Sequence, residues 1–200
     1  TIYAENEANL LFGNKGYGVF RYNETTNGLE PVSTHKYENM TLNNILAISK
    51  DSSNNYLFGT SYGLIKYTSE TSYQLFNAKN GFLNNTIHAI LRNSSDNFWL
   101  STNLGLINFD TKRNVFRSYG FGDGLKVVEF SDGAAFRDPR TGILFFGGIN
   151  GFVAIRADGR PEQLYMPPVY FDKLSIFGEQ YNLGEFLTRK KETEVLNLQY

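Results

Sequence analysis

"FWLSTNLGLINFD", residues Phe98–Asp110, has three near-copies in the same chain. "YLFGTSYGLIKYT" stands at Tyr56–Thr68, "LFFGGINGFVAI" at Leu144–Ile155 and "LLFGNKGYGVFRY" at Leu10–Tyr22. Gly63 to Gly105, Ile45 to Ile87 and Tyr67 to Phe109 are each 42 residues apart. Ala89 to Ala135, Trp99 to Phe145 and Gly105 to Gly151 are each 46 apart. In the first step Ile2 to Ile45 is 43 and Tyr22 to Tyr67 is 45, a drift that turns of unequal length would absorb. A period in the low-to-middle forties suits paired helices or a four-stranded propeller blade.

Local pattern decides between the two. Each unit holds short apolar runs such as "ILAIS", "YLFG", "GLIKY" and "YQLF", parted by the polar clusters "KDSSNN", "NSSDN" and "DPRTG". Runs of this length rich in Ile, Phe and Tyr, between such spacers, read as strands. No segment keeps a 3.6-residue apolar stripe over three turns. "YLFG" and "FWLS" do not alternate apolar with polar, as a sheet with one wet face would. A blade sandwiched between neighbours has middle strands covered on both faces. The small residues Gly13, Gly59, Ser101 and Gly147 that follow each run mark close approach of backbones. Gly18, Gly63, Gly105 and Gly151 fall between the second and third strands, where a hairpin turn calls for positive φ. The expected fold is all-β: a partial β-propeller of four four-stranded antiparallel blades over residues 1–160. The fourth repeat reads as lacking its outer strand, because "RADGRPEQ" after "GFVAI" turns polar.

Bulk composition narrows function. The 200 residues carry 19 basic and 20 acidic side chains, for a net charge of −1. Such a balance gives no field to draw in a phosphate backbone or an anionic membrane, so no nucleic-acid partner is expected. There is no cysteine, which removes disulfides, thiolate catalysis and cysteine-held metal. No apolar run of about 18 residues is present, so no direct membrane insertion is expected of this segment. The chain opens on Thr1 without an initiator methionine or a leader pattern, and is read as a segment of something longer.

With the repeats in view, the chain resembles a family. "FWLSTNLGLINFDTKRNVFRSY" is similar to the two-component regulator propeller repeat. The stretch "GDGLKVVEFSDGAAFRDPRTGILFFGGINGFVAI" resembles the last repeat of the periplasmic sensor region of hybrid two-component systems of Bacteroidetes. Asp123, Gly124, Leu125, Glu129, Phe130, Gly133, Ala134, Ala135, Phe136, Phe146, Gly147, Gly148, Asn150 and Gly151 follow that order. "MPPVYFDKLSIFGEQYNL", from Met166, resembles the start of the immunoglobulin-like triple-tyrosine domain, which would occupy residues 167–200 as a truncated β-sandwich. The resemblance implies sensing of oligosaccharides on the periplasmic side of the inner membrane. It implies signalling to transcription of polysaccharide-utilisation genes and a homodimeric intact receptor. Any histidine-kinase part would lie outside this chain. Family propellers carry about seven blades, within the roughly 4–8 of closed propellers, so the four repeats here would be part of a larger ring. "TIYA" at Thr1 aligns with "TIHA" at Thr86, a repeat boundary. The remaining blades are then expected partners, and the four repeats alone are expected to self-associate.

Candidate chemistry is sparse. His35 and His88 show no metal-ligand spacing, and His88 shares a strand position with Tyr3 and Leu46, so it reads as structural filler. No nucleophile elbow or phosphate loop appears. "GFGDG", Gly120–Gly124, lacks a strand-then-helix setting and reads as a blade-linking turn. Asp123, Glu129 and Asp132 form the densest acidic group and read as solvated turn charges rather than a calcium site or a glycosidase pair. Trp99, the single tryptophan, shares the register of Leu57 and Phe145 and reads as core rather than as a sugar platform. The sequons at Asn23, Asn39, Asn84 and Asn93 matter only in a eukaryotic source. Tyr62, Asn103 and Asn150, beside the repeated turn glycines, are the ligand-binding candidates, because loops on a rigid scaffold carry recognition. No catalytic residue, metal or cofactor is assigned. The favoured function is a non-enzymatic sensor segment. The alternatives are a propeller lyase or glycosidase, and a protein-interaction scaffold of the WD-repeat kind, whose Gly-His and Trp-Asp signatures are missing.

Overall fold

The computed structural model describes residues 1–33, 44–69, 71–156, 173–176 and 179–182. His35, Asn39, Met166, Pro167 and Pro168 lie outside them. The chain divides into two compact units, Thr1–Leu164 and Tyr165–Tyr200. In the second, β16 (Lys173–Ile176) and β17 (Glu179–Asn182) form an antiparallel hairpin. The remainder of the expected immunoglobulin-like sandwich falls outside the described residues.

The first unit holds four antiparallel meanders arranged as propeller blades. Blade one is β1 (Ile2–Asn6), β2 (Asn9–Gly13), β3 (Val19–Asn23) and β4 (Gly28–Ser33). Blade two is β5 (Ile45–Lys50), β6 (Tyr56–Thr60), β7 (Leu64–Ser69) and β8 (Ser72–Phe76). Blade three is β9 (Ala89–Arg92), β10 (Asn97–Thr102), β11 (Gly105–Asp110) and β12 (Val115–Tyr119). Blade four is β13 (Phe130–Arg137), β14 (Leu144–Gly148) and β15 (Gly151–Ile155), three strands among the described residues. Residues 157–172, where an outer strand of this blade would fall, lie outside the described residues. The strands leading each blade pack on one another, β1 on β5, β5 on β9 and β9 on β13.

The unbroken apolar runs are explained by where each face goes. On β6, Leu57 joins the cluster shared with blade three, alongside Phe98, Leu100, Ile107 and Phe109. Its neighbours Tyr56 and Phe58 point the other way and join Leu11, Val19, Ile45 and Tyr67 at the seam with blade one. On β10, Phe98 and Leu100 face blade two, while Trp99 faces blade four with Val127, Phe130, Leu144 and Phe146. Trp99 is therefore core, as the repeat register indicates. Period-2 side-chain geometry turns a run such as "FWL" into two buried faces. Seams this tight exclude side chains where backbones meet. A Cβ on Gly59 would lie 2.9 Å from Ile87 Cγ2, on the strand entering the next blade.

Polar links bind the same seams. Glu5 accepts hydrogen bonds from Arg21 Nε and Lys50 Nζ, both at 2.9 Å, and from the Tyr56 hydroxyl. Lys66 Nζ reaches from blade two to the Thr111 carbonyl (2.6 Å) and Asn114 Oδ1 (3.0 Å) of blade three. Ser52 Oγ donates to Asp96 Oδ1 at 2.6 Å across the same seam.

Among the described residues, no seam covers the outer apolar faces of the two end blades. Leu10, Phe12, Phe20, Tyr22 and Leu29 share the face of blade one turned away from blade two, and line a shallow concavity of about 510 Å³ with Asn14. On blade four, Phe136, Phe145 and Phe152 share the face turned away from blade three. Phe136 and Phe152 are 59% and 68% exposed.

Candidate functional site

The β2–β3-type hairpin turns of all blades gather at one end of the propeller. Those of blades two and three are built the same way. Thr60 Oγ1 donates to the Gly63 carbonyl (2.8 Å) and accepts from the Tyr62 and Gly63 N–H groups. Thr102 Oγ1 donates to the Gly105 carbonyl (2.9 Å) and accepts from the Leu104 N–H. The turn glycines Gly18, Gly63, Gly105 and Gly151 all take positive φ, as expected. Gly105 combines φ +119° with a backbone so close that a Cβ would sit 2.0 Å from the Tyr119 carbonyl oxygen. The two residues before the glycine are thus free to vary on a rigid frame.

Tyr62, Asn103 and Asn150 all stand in these turns, but their surroundings differ. Tyr62 is half-buried and packs on the seam between blades one and two. Asn150 Nδ2 lies 3.5 Å from the Lys126 carbonyl, at the edge of hydrogen bonding. Asn103 alone of the three enters a side-chain network. Its Oδ1 is 2.6 Å from Nε2 of His88, whose Nδ1 is 2.5 Å from Asp132 Oδ1. Each ring nitrogen of His88 thus meets one side-chain oxygen. Asn103 and Asn150 are also tied indirectly through the Lys126–Glu129 segment. Gly105 N donates to the Val128 carbonyl at 2.7 Å, and Ile149 N donates to the Glu129 carbonyl at 3.2 Å.

This network fits one reading and corrects another. His88 is buried, as its structural reading expected, at 9% exposure, with Nδ1 meeting Asp132 of blade four across the seam and Nε2 meeting Asn103 of its own blade. Asp132 is exposed over 66% of its side chain, but it is paired rather than simply solvated. A register slip in β13 between Phe130 and Ala135, with Gly133 at φ +67°, carries Asp132 to His88. The bulge bends the strand inward, and Gly133 N donates to the His88 carbonyl at 3.3 Å. The departure of His88 from Tyr3 and Leu46 at one repeated position was the sequence signal for it. Asp123 lies apart, its Oδ2 accepting from Gly120 N at 2.9 Å within the 3₁₀ turn Phe121–Asp123, the predicted blade-linking turn. Among the described residues no three His, Cys, Asp or Glu side chains converge as a metal site would require. Nor does any helix there have the length and apolarity to cross a membrane.

No family model matches the chain, and no curated protein sequence matches it. Solved structures do. The extracellular domain of BT3049 from B. thetaiotaomicron, described as a hybrid two-component system, is 28% identical over 97% of this chain, with a TM-score of 0.68. The extracellular domain of BT4673 from the same organism, described likewise, is 19% identical over 91% of this chain, with a TM-score of 0.53, and shows the shared fold. The chain spans 25% and 23% of the length of these two neighbours. The likeness carried in sequence by the propeller repeats is therefore matched in three dimensions, and the structural neighbours of this chain are extracellular domains of Bacteroides hybrid two-component systems.

Proposed function

We propose that this chain is part of the ligand-sensing region of a hybrid two-component receptor, lying on the periplasmic side of the inner membrane. It recognises a carbohydrate, an oligosaccharide in the first instance, and relays a conformational change that controls polysaccharide-utilisation genes. Residues 1–160 contribute blades to a larger propeller, and residues 167–200 begin an immunoglobulin-like domain. The observation that carries this reading is the 28% identity to an extracellular two-component domain, sustained over 97% of the chain. The variable turns on a conserved frame support recognition at the hairpin end. The uncovered apolar faces of blades one and four support further blades as partners, and the intact receptor is read as a homodimer. The histidine-kinase activity belongs to other parts of the receptor.

Isothermal calorimetry of the complete extracellular domain against a panel of oligosaccharides tests the reading. Saturable binding without turnover is expected. Hydrolysis or elimination of any sugar would make the propeller an enzyme, and silence across the panel would make it a scaffold.

A further inference from the structure

We propose that Asn103, His88 and Asp132 form a subsite for two neighbouring hydroxyl groups of a neutral sugar. The inference rests on the carbohydrate reading above and assigns it to particular side chains. His88 locks the geometry. It is buried, and it holds one oxygen of Asp132 and the oxygen of Asn103 through its two ring nitrogens, at 2.5 and 2.6 Å. What remains for a ligand is complementary. Asp132 Oδ2 and Asn103 Nδ2 have no hydrogen-bond partner among the described residues, and the Asp132 side chain is 66% exposed. A free carboxylate oxygen accepts from one hydroxyl while a free amide N–H donates to another. That pairing suits a diol. An anion would meet the Asp132 carboxylate.

Apolar surface lies next in the chain: Leu104 follows Asn103 in the same turn and is 52% exposed. Blades one and two lack the pair, because Tyr3 and Leu46 stand where His88 does. The subsite is thus confined to the seam of blades three and four.

The test uses the complete extracellular domain, with cellobiose, xylobiose, mannobiose and maltose as probes. Binding is measured by calorimetry, and the ring resonances of His88, one of two histidines in this chain, by nuclear magnetic resonance. A binding sugar is expected to shift the His88 ring signals in a saturable way. Asn103→Ala and Asp132→Ala are expected to weaken it about tenfold or more each, as loss of a hydrogen bond to a charged or locked partner does. Arg113→Ala, in the turn between β11 and β12, is expected to leave it unchanged. The resonance measurement needs no variant, so misfolding of a substituted chain cannot mask the result. Tight binding that ignores both substitutions and leaves the His88 signals unmoved would overturn this subsite and leave carbohydrate sensing standing. Absence of binding by all four sugars would overturn both.

Discussion

Replacing Glu5 by glutamine removes the carboxylate at the centre of the polar link between blade one and blade two. Glu5 is 11% exposed and accepts from Arg21, Lys50 and Tyr56 together. Burial pushes its carboxyl up, but the hydrogen bonds from Tyr56, Lys50 and Arg21 outweigh burial and bring it from 4.5 down to about 2. A fall of roughly 2.5 units, at about 1.36 kcal/mol each, sets a ceiling of about 3 kcal/mol on the stability linked to this group. Arg21 and Lys50 are 31% and 23% exposed, and solvent screening of that kind lowers the expectation to about 2 kcal/mol. The sign follows from the depressed folded value. The contribution is complete above the unfolded value of 4.5 and disappears as pH falls through about 2. Urea unfolding of the parent and of Glu5→Gln, followed by circular dichroism, should differ by about 2 kcal/mol at pH 6, with more than half of that gap closed at pH 3. A gap under about 0.5 kcal/mol at pH 6, the range of exposed pairs, would refute the reasoning. So would a gap that stays constant down to pH 3.

Other substitutions probe the turns, the seams and the open ends. Gly105→Ala forces a Cβ into φ +119° and against the Tyr119 carbonyl, and should cost at least the roughly 1–3 kcal/mol of a strained backbone position, read as a lowered melting temperature. Phe109→Ala empties a fully buried site packed edge-on against Phe76 at 4.9 Å, and should cost about 3–5 kcal/mol in the same unfolding assay. Phe12→Ser and Phe152→Ser, on the uncovered faces of blades one and four, should shift the isolated 200-residue chain from oligomer toward monomer in analytical ultracentrifugation. A compact monomer before substitution would show that four blades suffice.

The repeat was legible because it is a one-dimensional property. A spacing of 42 to 46 residues, glycine at each hairpin and runs with no polar face follow from stacking identical sheets, and each can be counted along the chain. Trp99 was placed in the core for the same reason: it shares a register with Leu57, whose side chain the next blade covers. The turn positions Tyr62, Asn103 and Asn150 were also readable, since the turn glycine locates them. What they touch was not. Asn103 meets a residue 15 positions away and, through it, one 44 positions further along. Their meeting depends on how blade four packs against blade three and on the slip in β13 that turns Asp132 inward. Neither is written in a periodic pattern, because a bulge breaks the period by which strands are read. In sequence His88 is one departure from Tyr3 and Leu46, and Asp132 one acid among several near Gly133. Only the closed seam, which buries the imidazole between two oxygens, makes them a unit.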